Sequence, residues 1–153
     1  MAIEHVNIVD GERHEPKGAS TATVDQVYAS DGAGSGEWRE IPYSDTVIMA
    51  DVSAPSFVIM PIPIDVTIQA IEYVLWGAIT GADSTITVTD GLGASLGTQV
   101  IAYTASGEGT TFTQTPAGNA TITASTEKYL KFATNGNSST TMQMSITIKA
   151  KVV

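Results

Sequence analysis

The sequence predicts an all-β fold: an antiparallel β-sandwich, jelly-roll-like, preceded by an extended N-terminal arm. Three observations carry this. In the last segment Met142, Met144, Ile146, Ile148, Ala150 and Val152 alternate with Gln143, Ser145, Thr147, Lys149 and Lys151. A period of two sustained over eleven residues is a strand with one apolar face, and no helix gives it. Residues 80–147 hold 17 Thr and 7 Ser, and β-branched Thr suits a pleated, half-wet surface. Short apolar runs also follow one another at regular spacing with Gly, Pro, Asn, Asp or Ser between them, which is the texture of a sandwich or barrel.

The elements follow in order. Residues 1–45 have weak periodicity and turn signals at Asp10-Gly11, Pro16, Lys17-Gly18 and Asp31-Gly32, and read as an extended arm. Within it Thr23–Tyr28 alternates and predicts a strand, the first half of a short hairpin-like module. Residues 46–153 form the sandwich domain. Its predicted strands are 46–52, 56–63, a long run over 64–80, then 84–90, 98–105, 109–115, 119–125, 128–134 and 141–153. Asp90-Gly91 and Asn135-Gly136 are tight-turn dipeptides between strands. In the long run the apolar phase slips near Ala70-Ile71, which predicts a β-bulge there rather than a helix.

Composition bounds the function. A 153-residue chain is one domain, or one domain plus an appendage, long enough to bury about 70% of its unfolded surface. Only 15% of residues are charged and the net charge is −9, of which residues 1–52 carry −7 and residues 53–153 carry −2. An acidic chain repels phosphates, and no Lys/Arg cluster exists to hold an anionic membrane, so neither nucleic acid nor membrane is an expected partner. The absence of Cys removes disulfides, thiol catalysis and Cys-ligated zinc. The N-terminal residues lack an apolar h-region, and the longest apolar stretch is broken by Pro61, Pro63, Asp65, Gln69 and Glu72. The expectation is a chain made in a cytoplasm, without a secretory signal or a membrane-spanning helix.

Candidate chemistry is sparse. His5 and His14 both lie in the arm, with Glu12 and Glu15 near, and their spacing fits no recognised metal site. Residues 46–153 contain no His, so no ordinary base is available there for a serine nucleophile. The carboxylates after residue 53 are Asp65, Glu72, Asp83, Asp90, Glu108 and Glu127. Asp83, Asp90 and Glu108 sit in turn-like contexts, which favours loop acids over a glycosidase pair. The glycines of 91–97 do not have dinucleotide-binding spacing, no EF-hand spacing occurs, and Asn119 and Asn137 match the glycosylation pattern without a secretion signal. No cofactor, metal or catalytic residue is expected.

What remains is contact. In "ASDGAGSGEW", Ala29–Trp38, glycines at 32, 34 and 36 allow a reversal that brings Trp38 toward Tyr28. An aromatic anchor on an arm has the composition of a contact site. The alternative is that Trp38 folds back on the β domain of its own chain. The segment His14–Ile41 resembles a module of tailed-bacteriophage virion proteins, found in head-decoration and fibre-like proteins. The shared features are Pro16-Lys17-Gly18-Ala19, Gln26-Val27-Tyr28, the Gly-rich stretch Asp31–Gly36, and Trp38-Arg39. The Thr/Gly-rich β domain that follows is similar to the sandwich heads of such proteins.

That resemblance implies a non-enzymatic virion structural protein whose arm docks on other virion subunits. The expected role is a decoration or cement protein on the capsid exterior. It would stabilise a phage head by bridging major capsid protein subunits, and a homotrimer at a symmetry axis is the expected assembly. The expected interaction residues are Pro16, Lys17, Tyr28, Trp38 and Arg39. The alternative is a carbohydrate- or receptor-binding β-sandwich module of a fibre or tail, with Tyr73, Trp76, Tyr103 or Tyr129 as its aromatic platform.

Overall fold

The computed structural model describes residue 22 and residues 26–30, 36–117 and 120–153. The chain divides into two compact units, Met1–Ile41 and Pro42–Val153. In the first unit the described residues form an antiparallel hairpin of β1 (Gln26–Ser30) and β2 (Gly36–Glu40), with Tyr28 opposite Trp38. The strand expected at Thr23–Tyr28 therefore runs over Gln26–Ser30, and Thr23–Asp25 lie outside the described residues.

The second unit is an antiparallel sandwich of nine strands: β3 (Pro42–Met49), β4 (Ser56–Pro61), β5 (Val66–Leu75), β6 (Ser84–Asp90), β7 (Ser95–Ile101), β8 (Thr111–Gln114), β9 (Thr121–Ile122), β10 (Tyr129–Thr134) and β11 (Met144–Val152). The first sheet has the order β3-β11-β5-β8, with β9 pairing the start of β5, and the second has the order β4-β10-β6-β7. Apart from the β6–β7 hairpin, consecutive strands cross between the sheets in the order of an eight-stranded jelly roll, β8 and β9 being two pieces of one lane.

The strand texture begins earlier than the sequence predicted. Pro42–Asp45 already pair with Ile148–Lys151, so the domain starts four residues before Thr46. Alternation over Tyr43, Asp45, Val47 and Met49 is interrupted by a charge, and pairing with β11 overrides that local weakness.

The alternating residues form the core. Met144, Ile146, Ile148 and Ala150 of β11 meet Ile71, Tyr73 and Leu75 of β5 and, from the other sheet, Ile86, Val88, Leu130 and Phe132. The phase slip of the long apolar run is a bulge. Ala70 pairs with Lys149 and Ile68 with Ala150, so Gln69 is the extra residue. Gln69 and Ala70 both turn outward, which returns Ile71 to the core. A second bulge places Gly97 (φ 116) opposite Val88 and Ser95 opposite Thr89, a backbone that L side chains rarely adopt. On the wet faces Thr hydroxyls pair across strands, Thr46 with Thr147 at 2.8 Å and Thr67 with Thr121 at 3.1 Å.

The two ends of the domain differ. The β3–β4, β5–β6, β7–β8 and β10–β11 loops gather at one end, joined by Val52 N–H to the Met142 carbonyl (2.9 Å), Ser139 N–H to the Thr80 carbonyl (2.8 Å) and Ile79 N–H to Ser106 Oγ (3.0 Å). Pro42 and Val152, paired with Lys151 and Val66, sit at the other end, so the chain enters and leaves the domain there.

Candidate functional site

In the hairpin, alternation puts Tyr28 and Trp38 on one face. Their ring centroids are 5.4 Å apart with planes inclined 65°, an edge-to-face pair. Gly36 makes this possible: a Cβ there would lie 2.9 Å from the Tyr28 ring and 2.3 Å from the Ala29 carbonyl oxygen. Gly36, the first residue of β2, is thus needed for close approach.

The Trp38 side chain is half-buried, and its Nε1 is a buried donor without a hydrogen-bond partner among the described residues. An unpartnered buried N–H costs about 1–3 kcal/mol, which an acceptor supplied by a second molecule would recover.

The five residues nominated from the sequence are only partly brought together. Tyr28 and Trp38 pair. Arg39 projects from the opposite face, where its Nε donates to Glu37 Oε1 at 2.7 Å. Both side chains of that ion pair are about 65% exposed, so it contributes little to stability. Pro16 and Lys17 lie outside the described residues.

In the domain the carboxylates are structural acceptors. Asp51 Oδ1 accepts from Ser53 N (2.8 Å), Ser53 Oγ (2.6 Å) and Met142 N (3.3 Å). Asp65 accepts from Ala124 N, Asp83 from Tyr103 N, and Asp90 from Leu92 N and Ala94 N. Glu72 pairs with Lys149 across β5 and β11. Hydrogen bonds from Ser53 hold Asp51 below its ordinary pKa, and the Thr126 hydroxyl does the same for Glu127, which also accepts from Thr123 N. Such carboxylates stay ionised and bound to backbone, the reverse of a general acid. Among the described residues no three His, Cys, Asp or Glu side chains are placed to share a metal ion.

Buried polar groups join the two sheets. The Tyr73 hydroxyl donates to Gln114 Oε1 (2.5 Å), and Gln114 Nε2 donates to the Leu96 carbonyl (3.1 Å) on the opposite sheet. Burial pushes the Tyr73 phenol above its ordinary pKa, so it remains a neutral donor. The Val52 carbonyl accepts from the buried hydroxyls of Ser84 (3.0 Å) and Thr134 (3.1 Å).

The aromatic platform expected for the carbohydrate alternative does not form as a unit. Tyr73 is fully buried and belongs to the core. Trp76 and Tyr103 are exposed at the loop end, and half-buried Tyr129 lies beside Pro61 on the outer face of the second sheet.

Sequence reasoning missed one surface. On the edge strand β4, Phe57 and Ile59 are 59% and 43% exposed, with Lys131 Nζ 4.6 Å from the Phe57 ring centre. The near-continuous apolar run "SFVIMP" conceals that only Val58 and Met60 point inward. That run has too many apolar residues for one face, which was the available signal.

No family model matches the chain, and no curated protein does. A solved structure from Bacillus endospore appendages, described as a novel family of disulfide-linked pili, is 17% identical over 75% of this chain and 92% of that chain, with a TM-score of 0.37. An overlap of that size places no constraint on what this chain does.

Proposed function

We propose that this chain is a non-enzymatic structural protein of a phage particle, a decoration or cement protein that stabilises the head by bridging major capsid protein subunits through its N-terminal unit. The observation that carries the reading is the hairpin. A two-stranded hairpin is marginal by itself in water, and this one holds an aromatic pair whose indole N–H has no partner among the described residues. Such a unit gains order and a missing acceptor when it seats on another subunit. The resemblance of His14–Ile41 to phage virion modules supports the same role. The jelly-roll domain fits a scaffold, since its carboxylates and hydroxyls hold loops and sheets together. A homotrimer on the capsid exterior is the proposed assembly.

The test is co-sedimentation of the purified full chain with phage heads that lack it. Saturable binding, with heads that then resist heat or low salt better, is the expected result. Failure to bind heads at micromolar concentrations contradicts the proposal.

A further inference from the structure

We propose that the loop end of the domain carries a binding site for a neutral glycan, centred on Trp76. The site goes beyond head binding and does not depend on it. Trp76 follows the inward-facing Leu75 and so points out of the first sheet, 50% exposed. Its surroundings follow from the register. Trp76 N donates to the Gln143 carbonyl (3.1 Å), which puts Gln143 beside it on the β11 side. On the β8 side, Gly109 N donates to the Leu75 carbonyl (2.9 Å), so the residue next to the indole has no side chain. A Cβ built on Gly109 would meet nothing within 4 Å, so the space at that neighbouring position is open. One step down the sheet, Val74 is paired with Ser145 on one side and Thr111 on the other. The indole therefore stands beside that open position among one amide and two hydroxyl side chains, with no charged residue at these positions.

This chemistry suits a pyranose. A sugar's C–H face stacks on an indole, and its hydroxyls exchange hydrogen bonds with neutral amides and hydroxyls. Charge selects the class of sugar. The loops 50–55, 76–83, 102–110 and 135–143 contain Asp51, Asp83 and Glu108 and no Lys or Arg. A sulfated or uronic saccharide would meet no cation there.

The site is also preorganised. The β5–β6 loop is bound to the β10–β11 loop through Thr80 N–H to Ser138 Oγ (3.3 Å) and through the Thr80 and Thr140 hydroxyls. It is bound to the β7–β8 loop through Ser106 Oγ to the Ile79 carbonyl (3.1 Å). Little ordering is left for a ligand to impose.

The experiment uses the full chain labelled with ¹⁵N and titrated with cellohexaose, maltohexaose and chitotetraose, with a heparin hexasaccharide as the anionic comparison. Its two indole N–H signals, from Trp38 and Trp76, are assigned with Trp76→Phe. At least one neutral oligosaccharide is expected to shift the Trp76 signal saturably at millimolar concentration or below while leaving Trp38 unmoved. By calorimetry Trp76→Ala is expected to weaken that sugar at least tenfold without changing the melting temperature. Three results overturn the proposal: no neutral sugar shifting Trp76 up to about 10 mM, beyond the weakest useful affinities; heparin shifting it equally; or Trp76→Ala binding sugar like the natural chain. If no sugar binds and Trp76→Ala instead abolishes co-sedimentation with heads, the face docks protein and the glycan assignment fails. No heads are present in the titration, so failure of hairpin docking leaves its result unchanged.

Discussion

Tyr73 and Phe132 in the jelly roll and Trp38 in the hairpin differ in how completely their surroundings satisfy them. In the domain, Tyr73 and Phe132 are fully buried, and the Tyr73 hydroxyl has its acceptor in Gln114. In the hairpin, Trp38 packs edge-to-face with Tyr28 and holds a buried N–H with no partner among the described residues. A group whose hydrogen bonding is complete contributes to its own fold, whereas one left incomplete gains by meeting something else. This difference supports the proposal that the hairpin is a contact element.

Mutations sharpen this contrast, starting with the largest effect. Phe132→Ala removes a core ring between the sheets and is expected to cost about 3–5 kcal/mol of domain stability by denaturant unfolding. A cost below about 1 kcal/mol would mean that the centre of the sandwich is not packed as described. Gln114→Ala strands the Tyr73 hydroxyl and frees the Leu96 carbonyl, with an expected loss of about 1–3 kcal/mol. In Gln114→Ala/Tyr73→Phe much of that loss should return, because the stranded hydroxyl is gone.

Acid is expected to act more gently. The folded-state pKa values of Asp51 and Glu127 are depressed. Their contribution is present above the unfolded carboxylate pKa, about 4, and is lost as pH falls through the lower folded values. Melting temperature should hold from neutral pH to about 5 and decline below about 4. Asp51→Ala should flatten part of that decline, and an unchanged acid profile would count against Asp51 as a loop anchor.

Much of this fold was legible in the sequence. Met142–Val152 gave its strand and its inward face through alternation alone, and β6 lies at the expected 84–90. The slip expected near Ala70-Ile71 was visible because a bulge breaks the period of two, and the extra residue is the adjacent Gln69. The domain start was misjudged because Pro42–Asp45 lack an apolar signal of their own and are held by β11, more than a hundred residues away. The site was less legible. The pairing of Tyr28 with Trp38 could be read from the Gly-rich turn between them, but the outward Arg39 depends on register, which composition does not set. Tyr73 was named as a platform residue, but alternation along β5 puts it on the inward face with Ile71 and Leu75, where it is fully buried and its hydroxyl donates to Gln114.

The smallest effect expected anywhere in the molecule is that of Trp38→Ala on the melting of the sandwich domain, and this makes it the most direct test. The natural chain and Trp38→Ala would be compared in two readouts: co-sedimentation with heads lacking the protein, and thermal unfolding at several protein concentrations, because association adds to apparent stability. The account predicts a loss of about 2 kcal/mol or more in head binding, as buried aromatic anchors give, with the domain's unfolding transition unmoved. Head binding preserved while the melting temperature falls by many degrees would contradict it, and would make Trp38 a residue of the fold rather than of the contact.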